Sequence, residues 1–189
     1  IVRKGGLEIE VTPYRAEHGY ADYRHPDTVT FGVSLKEDLA RRDFTINAMA
    51  LDVDDKKIID PFDGQKDLQA MLVRAVSDPS DRFNEDALRL LRAMRFTAEL
   101  DFHIEKKTWE ALKKHAPNIQ KVSGERVRDE MMKMVASDNP LRGFLNMMET
   151  GMMEATFPEL IEGRGVMQNK HHIYSVLFHN LLALQYCPS

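Results

Sequence analysis

The chain has 189 residues, 43% of them hydrophobic and 30% charged, enough apolar material for one large or two to three small packed units. Its formal net charge of −4 excludes a globally basic nucleic-acid footprint, so any such binding needs a local patch. One cysteine, Cys187, excludes an internal disulfide and suits a reducing, cytoplasmic setting, and no apolar run approaches the about eighteen residues of a membrane span.

The opening stretch, IVRKGGLEIEV, reads as strand, Gly5-Gly6 turn, strand. Leu7, Ile9 and Val11 alternate with Glu8 and Glu10, the period of a half-buried strand. The two glutamates are either its solvent face or carboxylates that help hold a divalent metal. A chain that starts inside a hairpin without methionine, and stops soon after a helical stretch at LLALQYCPS, is expected to be an internal piece of a longer protein. Pro13–Thr30 mixes charge, tyrosine, Gly19 and Pro26 and is expected to be a long irregular loop. Its Arg15, Arg24 and His25 could meet a phosphate or simply face solvent.

Ser34 with Glu37 three residues on predicts a capping box that opens a short helix carrying Leu35 and Leu39. Arg41, Arg42, Asp43, Thr45 and Asn47 follow. Adjacent arginines suit phosphate oxygens and Asp or Asn suits ribose hydroxyls, although charges at a helix end explain the same residues. Lys57–Ile59 is expected as a short strand. Asp60–Gly64 (DPFDG) is a turn and a candidate hinge, and Leu68 to Leu72 are expected in a short helix. A first region is expected to close near Arg74.

Asn84–Leu100 predicts one helix, with Ala87, Leu88, Leu90, Leu91, Met94 and Ala98 on its apolar side and Glu85 and Asp86 in the first turn, where the helix dipole favours negative charge. Arg89, Arg92 and Arg95 follow at steps of three. Asp86 and Arg89 are three apart and so share a face. A carboxylate accepts hydrogen bonds and a guanidinium donates them. Cytosine and adenine offer an amino donor beside a ring-nitrogen acceptor, whereas guanine and uracil offer the reverse, so this pair could accept the first two bases and reject the others. On this stretch alone, Glu85–Arg89 and Asp86–Arg89 ion pairs at a helix end are the simpler reading.

Further helices are expected over Ile104–His115, which carries the only tryptophan, Trp109; over Ser123–Val135, with a Ser cap and Met131, Met132 and Met134 as core filler; and over Leu141–Glu149 and Gly151–Thr156, before a Gly-rich loop at Glu162–Gly165. His172 and His179 are seven apart and could begin a metal site, but lack the further ligands one needs.

Taken together, these stretches resemble the class II tRNA nucleotidyltransferases and bacterial poly(A) polymerases, over about Glu8 to Leu160. Ile9-Glu10-Val11-Thr12 resembles the strand with that family's third acidic residue. Asp38–Ala50, DLARRDFTINAMA, resembles its ribose and triphosphate motif. Asp60–Gly64 resembles the head–neck connection and Glu85-Asp86-x-x-Arg89 the base-reading motif. Ser123–Lys133, with Glu125, Arg126 and Glu130, resembles the helix that steadies the neck. His171–Leu184 is similar to the opening of an HD-like body.

The resemblance implies an α+β, mostly helical chain: a partial polymerase-β-like α/β nucleotidyltransferase head at 1–73, a base-recognising helical neck at 74–138, and the start of a helical body at 139–189. It implies transfer of CMP or AMP from CTP or ATP to a tRNA 3′ end. Glu10 would be catalytic and metal-binding, and Arg41, Arg42, Asp43, Asn47, Asp86, Arg89 and Arg92 would bind the nucleotide. Two Mg2+ ions are implied, but the family's Gly-Ser and Asp-x-Asp motifs are absent before Ile1, so the chain alone is expected to be inactive. Rival readings are a poly(A) polymerase or A-adding member, a non-catalytic RNA-binding module, and a metal phosphohydrolase built on the His172 region. No membrane partner is expected.

Overall fold

The computed structural model describes residues 1–20, 26–167 and 173–187. Strands β1 (Val2–Lys4) and β2 (Leu7–Ile9) form an antiparallel hairpin in which Val2 pairs with Ile9. Its Gly5-Gly6 turn has φ of 59° and 81°, the left-handed region that glycine enters without a steric penalty. The hairpin is not half-buried as its alternation suggests: Leu7, Ile9 and Val11 are 68%, 49% and 69% exposed. Alternation only states that one face is apolar; burial needs a layer to cover it, and no described residue supplies one. Glu10 follows β2 and is exposed.

The expected irregular loop is a second antiparallel hairpin, β3 (Arg15–His18) with β4 (Thr28–Phe31). Charged β3 has no strand-like sequence of its own. Its pairing comes from the partner strand, and its register is closed at the far end by Gly32 N–H donating to the Tyr14 carbonyl at 3.1 Å. Arg24 and His25 lie outside the described residues.

Helix α1 (Leu35–Ala40) starts at the expected capping box: the Ser34 hydroxyl accepts from the Glu37 N–H, and the Glu37 carboxylate accepts from the Ser34 N–H at 2.8 Å. Beyond α1 the chain turns through Arg41–Asp43 to an extended Phe44. Phe44 is fully buried and bridges to Ala75, with Thr45 N–H donating to the Arg74 carbonyl at 2.9 Å and Val76 N–H to the Asp43 carbonyl at 3.0 Å. This short ladder ties the first region to the chain that follows Arg74. A 3₁₀ turn (Thr45–Asn47) leads to the two-residue pair of β5 (Ala50–Leu51) with β6 (Ile58–Ile59).

The DPFDG turn is a packed cap, not a loose hinge. The Asp60 carboxylate accepts from the N–H groups of Gly64 and Gln65 at 2.7 and 2.9 Å, which starts α2 (Gly64–Gln69). The expected helix over Leu68 to Leu72 ends at Gln69. Leu72–Val73 is instead β7, held in parallel register with β8 (His103–Ile104) by tertiary pairing.

The expected single helix over Asn84–Leu100 is two: α3 (Pro79–Glu85) and α4 (Leu88–Leu100). Asp86 is extended, with φ −142° and ψ 107°, and its carboxylate accepts from the Leu88 N–H at 3.0 Å. An Asp side chain that bonds a nearby backbone N–H competes with the helix, so here it stops one helix and starts the next. The break lets α3 pack on α5 (Lys106–His115) while α4 packs on α6 (Gly124–Val135) and α7 (Pro140–Thr150). The apolar side of α4 is legible in the sequence: Leu90, Leu91, Met94 and Ala98 are all buried. Each large side chain so buried contributes about 1.5–3 kcal/mol.

A 3₁₀ turn (Ala116–Lys121), α8 (Met152–Thr156), α9 (Pro158–Ile161) and α10 (Val176–Gln185) complete the described residues. Trp109 packs at the core margin, and Met131 and Met134 fill the core, but Met132 is 60% exposed because it points off the buried face of α6. His171 and His172 lie outside the described residues.

Gly64 marks a close approach: a Cβ there would lie 2.3 Å from the Thr45 carbonyl oxygen and 2.9 Å from the Met49 sulfur. Gly64→Ala should therefore destabilise the chain by about 1–3 kcal/mol. Gly124→Ala, with open space around its Cβ, should be neutral or stabilising by up to about 1 kcal/mol. Urea unfolding of the two variants checks the contrast.

Candidate nucleotide-binding site

The site forms where the C-terminal end of α1 meets the break between α3 and α4. A helix end leaves carbonyls without helical partners. Here two arginines satisfy them: Arg82 Nη1 donates to the Ala40 carbonyl at 2.7 Å, and Arg89 Nη2 donates to the Arg41 carbonyl at 2.8 Å. Cations are also favoured there by the helix dipole. Arg89 Nη1 donates further to Glu85 Oε2 at 2.7 Å and to the Arg82 carbonyl at 3.2 Å. The Arg89 guanidinium carries five N–H donors, so these bonds leave capacity for a ligand.

Next to this junction lies an open cleft of about 510 Å³. Arg41, Arg42, Asp43 and Asn47 line it from the first region, and Asp86, Arg89 and Arg92 line it from α4 and the break before it. The structure thus brings together all seven expected nucleotide-contacting residues. Leu88, Phe96 and Arg126 join them and were not expected there. Glu10 does not line this cleft.

The expected Asp86–Arg89 neighbour pair is replaced. Because Asp86 is off the helix, its Oδ2 accepts instead from Arg126 Nη2 of α6 at 2.7 Å. Arg126 lies four residues from Glu130 on α6, so sequence spacing suggests a local pair that the fold does not make. Arg92 Nε donates to Asp43 Oδ2 at 2.7 Å, and Asp43 Oδ1 accepts from the Phe44 N–H at 2.8 Å. Arg95 does not face the cleft; it donates to Glu130 and Glu99 and stacks on Phe96 at 4.3 Å. Steps of three along α4 therefore send Arg89 to α1, Arg92 to Asp43 and Arg95 to α6.

Five arginines and two aspartates line the cleft, a cationic surface on a chain of net charge −4. Arg42 is the most accessible of the five, with a side chain 46% exposed and, among the described residues, one ion pair, to Asp38 at 3.6 Å. Arg41 is held by Asp38 at 2.9 Å and Glu17 at 3.1 Å. Burial alone would raise the Glu17 pKa, but the Tyr20 hydroxyl, Arg41 and Arg15 outweigh it and hold the carboxyl below its ordinary value. The same hairpin contact pushes the Tyr20 phenol up, through burial and its hydrogen bond to Glu17. Among the described residues no group of three or more His, Cys, Asp or Glu could hold a metal ion.

Fold and cleft together define the class: an α+β, mostly helical chain with a nucleotidyltransferase head. Residues 1–74 match the family model described as "Poly A polymerase head domain", and residues 101–163 match "Probable RNA and SrmB- binding site of polymerase A". The CCA-adding enzyme of Limosilactobacillus reuteri is 44% identical over 182 residues, covering 91% of this chain and 45% of that protein. The crystal structure of the Bacillus stearothermophilus CCA-adding enzyme in complex with CTP matches 75% of this chain and 33% of that one, at 39% identity and a TM-score of 0.67. A tRNA nucleotidyltransferase complexed with a primer tRNA and an incoming ATP analogue matches 75% of this chain and 41% of that one, at 31% identity and a TM-score of 0.62. The chain belongs to the family of class II tRNA nucleotidyltransferases and bacterial poly(A) polymerases. It spans less than half the length of the curated relatives it matches.

Glu130 supports the cleft from below, accepting from Arg95 at 2.7 Å and Lys133 at 3.1 Å. Burial would raise its pKa from the ordinary 4.5, but Lys133, Arg95 and Arg92 overcome burial and the value is lowered. The folded state then binds this proton less tightly than the unfolded one. Its contribution is fully present above pH 4.5 and is lost as pH falls through the depressed folded value. Melting temperatures measured from pH 7 downward should fall less steeply below pH 4.5 for Glu130→Gln than for the wild type.

Proposed function

We propose that the chain serves an RNA 3′-end nucleotidyltransferase that adds CMP and AMP from CTP and ATP to tRNA. Residues 1–73 act as the head, 74–138 as the base-reading neck and 139–189 as the start of a helical body. In the reaction the RNA 3′-hydroxyl oxygen bonds to the α-phosphorus. The bond between that phosphorus and its bridging oxygen to the β-phosphate breaks, and pyrophosphate leaves. One observation carries this reading: arginines, aspartates and an asparagine from two separate regions converge on a single open cleft. The relatives' names, CTP bound to one relative and a primer tRNA with an ATP analogue bound to another support it.

The roles follow from the donors and acceptors left over. Arg42, exposed and loosely paired, meets the triphosphate. Asn47 faces the ribose hydroxyls beside Asp43, whose carboxylate is occupied by Arg92. Asp86 accepts from the exocyclic amino group of C or A, and a remaining Arg89 N–H donates to the adjacent ring nitrogen. UTP and GTP oppose carbonyl to carboxylate and N–H to guanidinium. Arg126 and the Glu85–Arg89 pair hold both readers still, which lowers the entropy cost of reading. Divalent metal, with Mg2+ as the ion, belongs to this reading through the family. Glu10 would supply one carboxylate ligand to it, and among the described residues no group of three or more His, Cys, Asp or Glu would complete the site. A cytoplasmic location fits a chain with one exposed cysteine and no membrane-crossing helix among the described residues.

A non-catalytic RNA-binding module would have no reason to select nucleotides. The test is equilibrium binding of the four nucleoside triphosphates to the purified chain. CTP and ATP should bind more tightly than UTP and GTP, by the ~1–3 kcal/mol of a bidentate contact. Asp86→Asn can keep the cap on Leu88 yet turns an acceptor into a donor, and it should erase most of that preference, as should Arg89→Gln. Equal binding of all four by the wild type, or unchanged preference in both variants at unchanged melting temperature, would overturn the reading.

Glu10 is tested separately, in a protein that carries this sequence over the full length of its relatives. Glu10→Gln should slow CMP incorporation far more than Glu8→Gln. Equal, mild effects would make both residues a solvated strand face.

A further inference from the structure

On α5 the chain reverses its overall charge. Between His103 and Lys121 there are five lysines against two glutamates, a local charge of +3 in a chain of −4. The helix turns Thr108, Ala111, Leu112 and His115 into the core, which leaves Lys106, Lys107, Lys113 and Lys114 exposed on the opposite face. Of the two glutamates, Glu105 is used internally: its carboxylate accepts from the Thr108 N–H at 2.8 Å and the Thr108 hydroxyl at 3.0 Å. Lys113 lies over the Trp109 ring at 5.6 Å and 3.9 Å from Glu110. Lys106, Lys107 and Lys114 make no ion pair among the described residues.

Those three lysines line one wall of an open groove of about 520 Å³. Asp78, Pro79 and Ser80, at the start of α3, line it as well, together with Glu110 and Ala111 of α5. The Asp78 carboxylate is turned to its own backbone, accepting from the Ser80 N–H at 2.8 Å and the Asp81 N–H at 3.2 Å. Helix α3 then connects two surfaces: its first residues border the lysine groove, and its last, Glu85, precedes Asp86 in the nucleotide cleft. Seven residues of helix span about 10 Å.

We infer that this groove binds the phosphodiester backbone of the RNA whose 3′ end enters the cleft, with Lys106, Lys107 and Lys114 contacting phosphates. Long, exposed lysines are point charges suited to phosphates without regard to base identity. Their nearness to the cleft suits a strand that must approach the incoming nucleotide. The groove lies within or beside the stretch that matches the family's RNA-binding description, which assigns no residue to the contact. The inference rests on the RNA-directed activity proposed for the chain, but not on how the base is read.

The test compares the wild-type chain with Lys106→Gln/Lys107→Gln/Lys114→Gln, and with Lys56→Gln/Lys57→Gln/Lys66→Gln as a matched removal of charge elsewhere. The probe is labelled tRNA lacking its terminal CCA, titrated at several salt concentrations, with CTP binding and melting temperature measured on the same samples. Each lysine that no longer neutralises a phosphate lowers the slope of log affinity against log salt by about 0.7–0.9, so the groove variant should drop by about 2–3 in slope. It should weaken tRNA binding by about tenfold or more at low salt while leaving CTP binding and melting temperature unchanged. The control should stay close to wild type. The groove is overturned if its variant keeps the wild-type slope and affinity, or if the control weakens as much, which would indicate a response to net charge alone. In both cases selective CTP binding would leave the nucleotide reading intact. A wild-type chain that selects CTP yet holds no tRNA overturns the groove and the RNA-directed activity together.

Discussion

The C-terminal end of a six-residue helix is the constraint on which this structure turns. Helix α1 is too short to hold itself in water, and its last carbonyls face the interior of the junction. Arg82 and Arg89 reach across from the next region and pair them. An unpaired buried carbonyl costs about 1–3 kcal/mol, so the two guanidinium groups hold the first region and the helical region at one relative position. The Phe44–Ala75 ladder holds the same junction from the other side. The cleft exists because these two ties leave a gap between them.

The cleft is cationic, but its arginines are not loose. Arg41, Arg89, Arg92 and Arg126 each make a charge-assisted hydrogen bond to a carboxylate before any ligand arrives. Such bonds fix side chains that otherwise lose about 2 kcal/mol of rotamer entropy when ordered. Burial works in the opposite direction at Arg82, whose pKa is lowered by desolvation even though Glu85 opposes it. That charge persists because Glu85 and the Ala40 carbonyl surround it. Arg42 is the exception, half-exposed and held by one long contact, and it is the group best able to follow a mobile phosphate.

Local chemistry was readable from the sequence wherever neighbouring residues decide the outcome. The Ser34–Glu37 capping box, the buried stripe of α4 and the proline and glycine breaks depend on spacing within a few positions, whereas the seven cleft residues were named only through the family resemblance of two separate motifs. The order of motifs also carried the family, because each motif is short and chemically specific. What the sequence alone could not determine was anything set by a partner distant in the chain. The apolar face of the first hairpin reads as buried but is exposed among the described residues, since alternation does not name the layer that would cover it. The charged segment Arg15–His18 reads as loop and is a strand, because β4 supplies its hydrogen bonds. Asp86 reads as a first-turn residue and is instead the gap between two helices. Its carboxylate pairs with Arg126, forty positions on, and caps Leu88, two positions on. Only tertiary structure could choose between Arg89 and Arg126 as its partner, because the choice depends on α6 packing against α4.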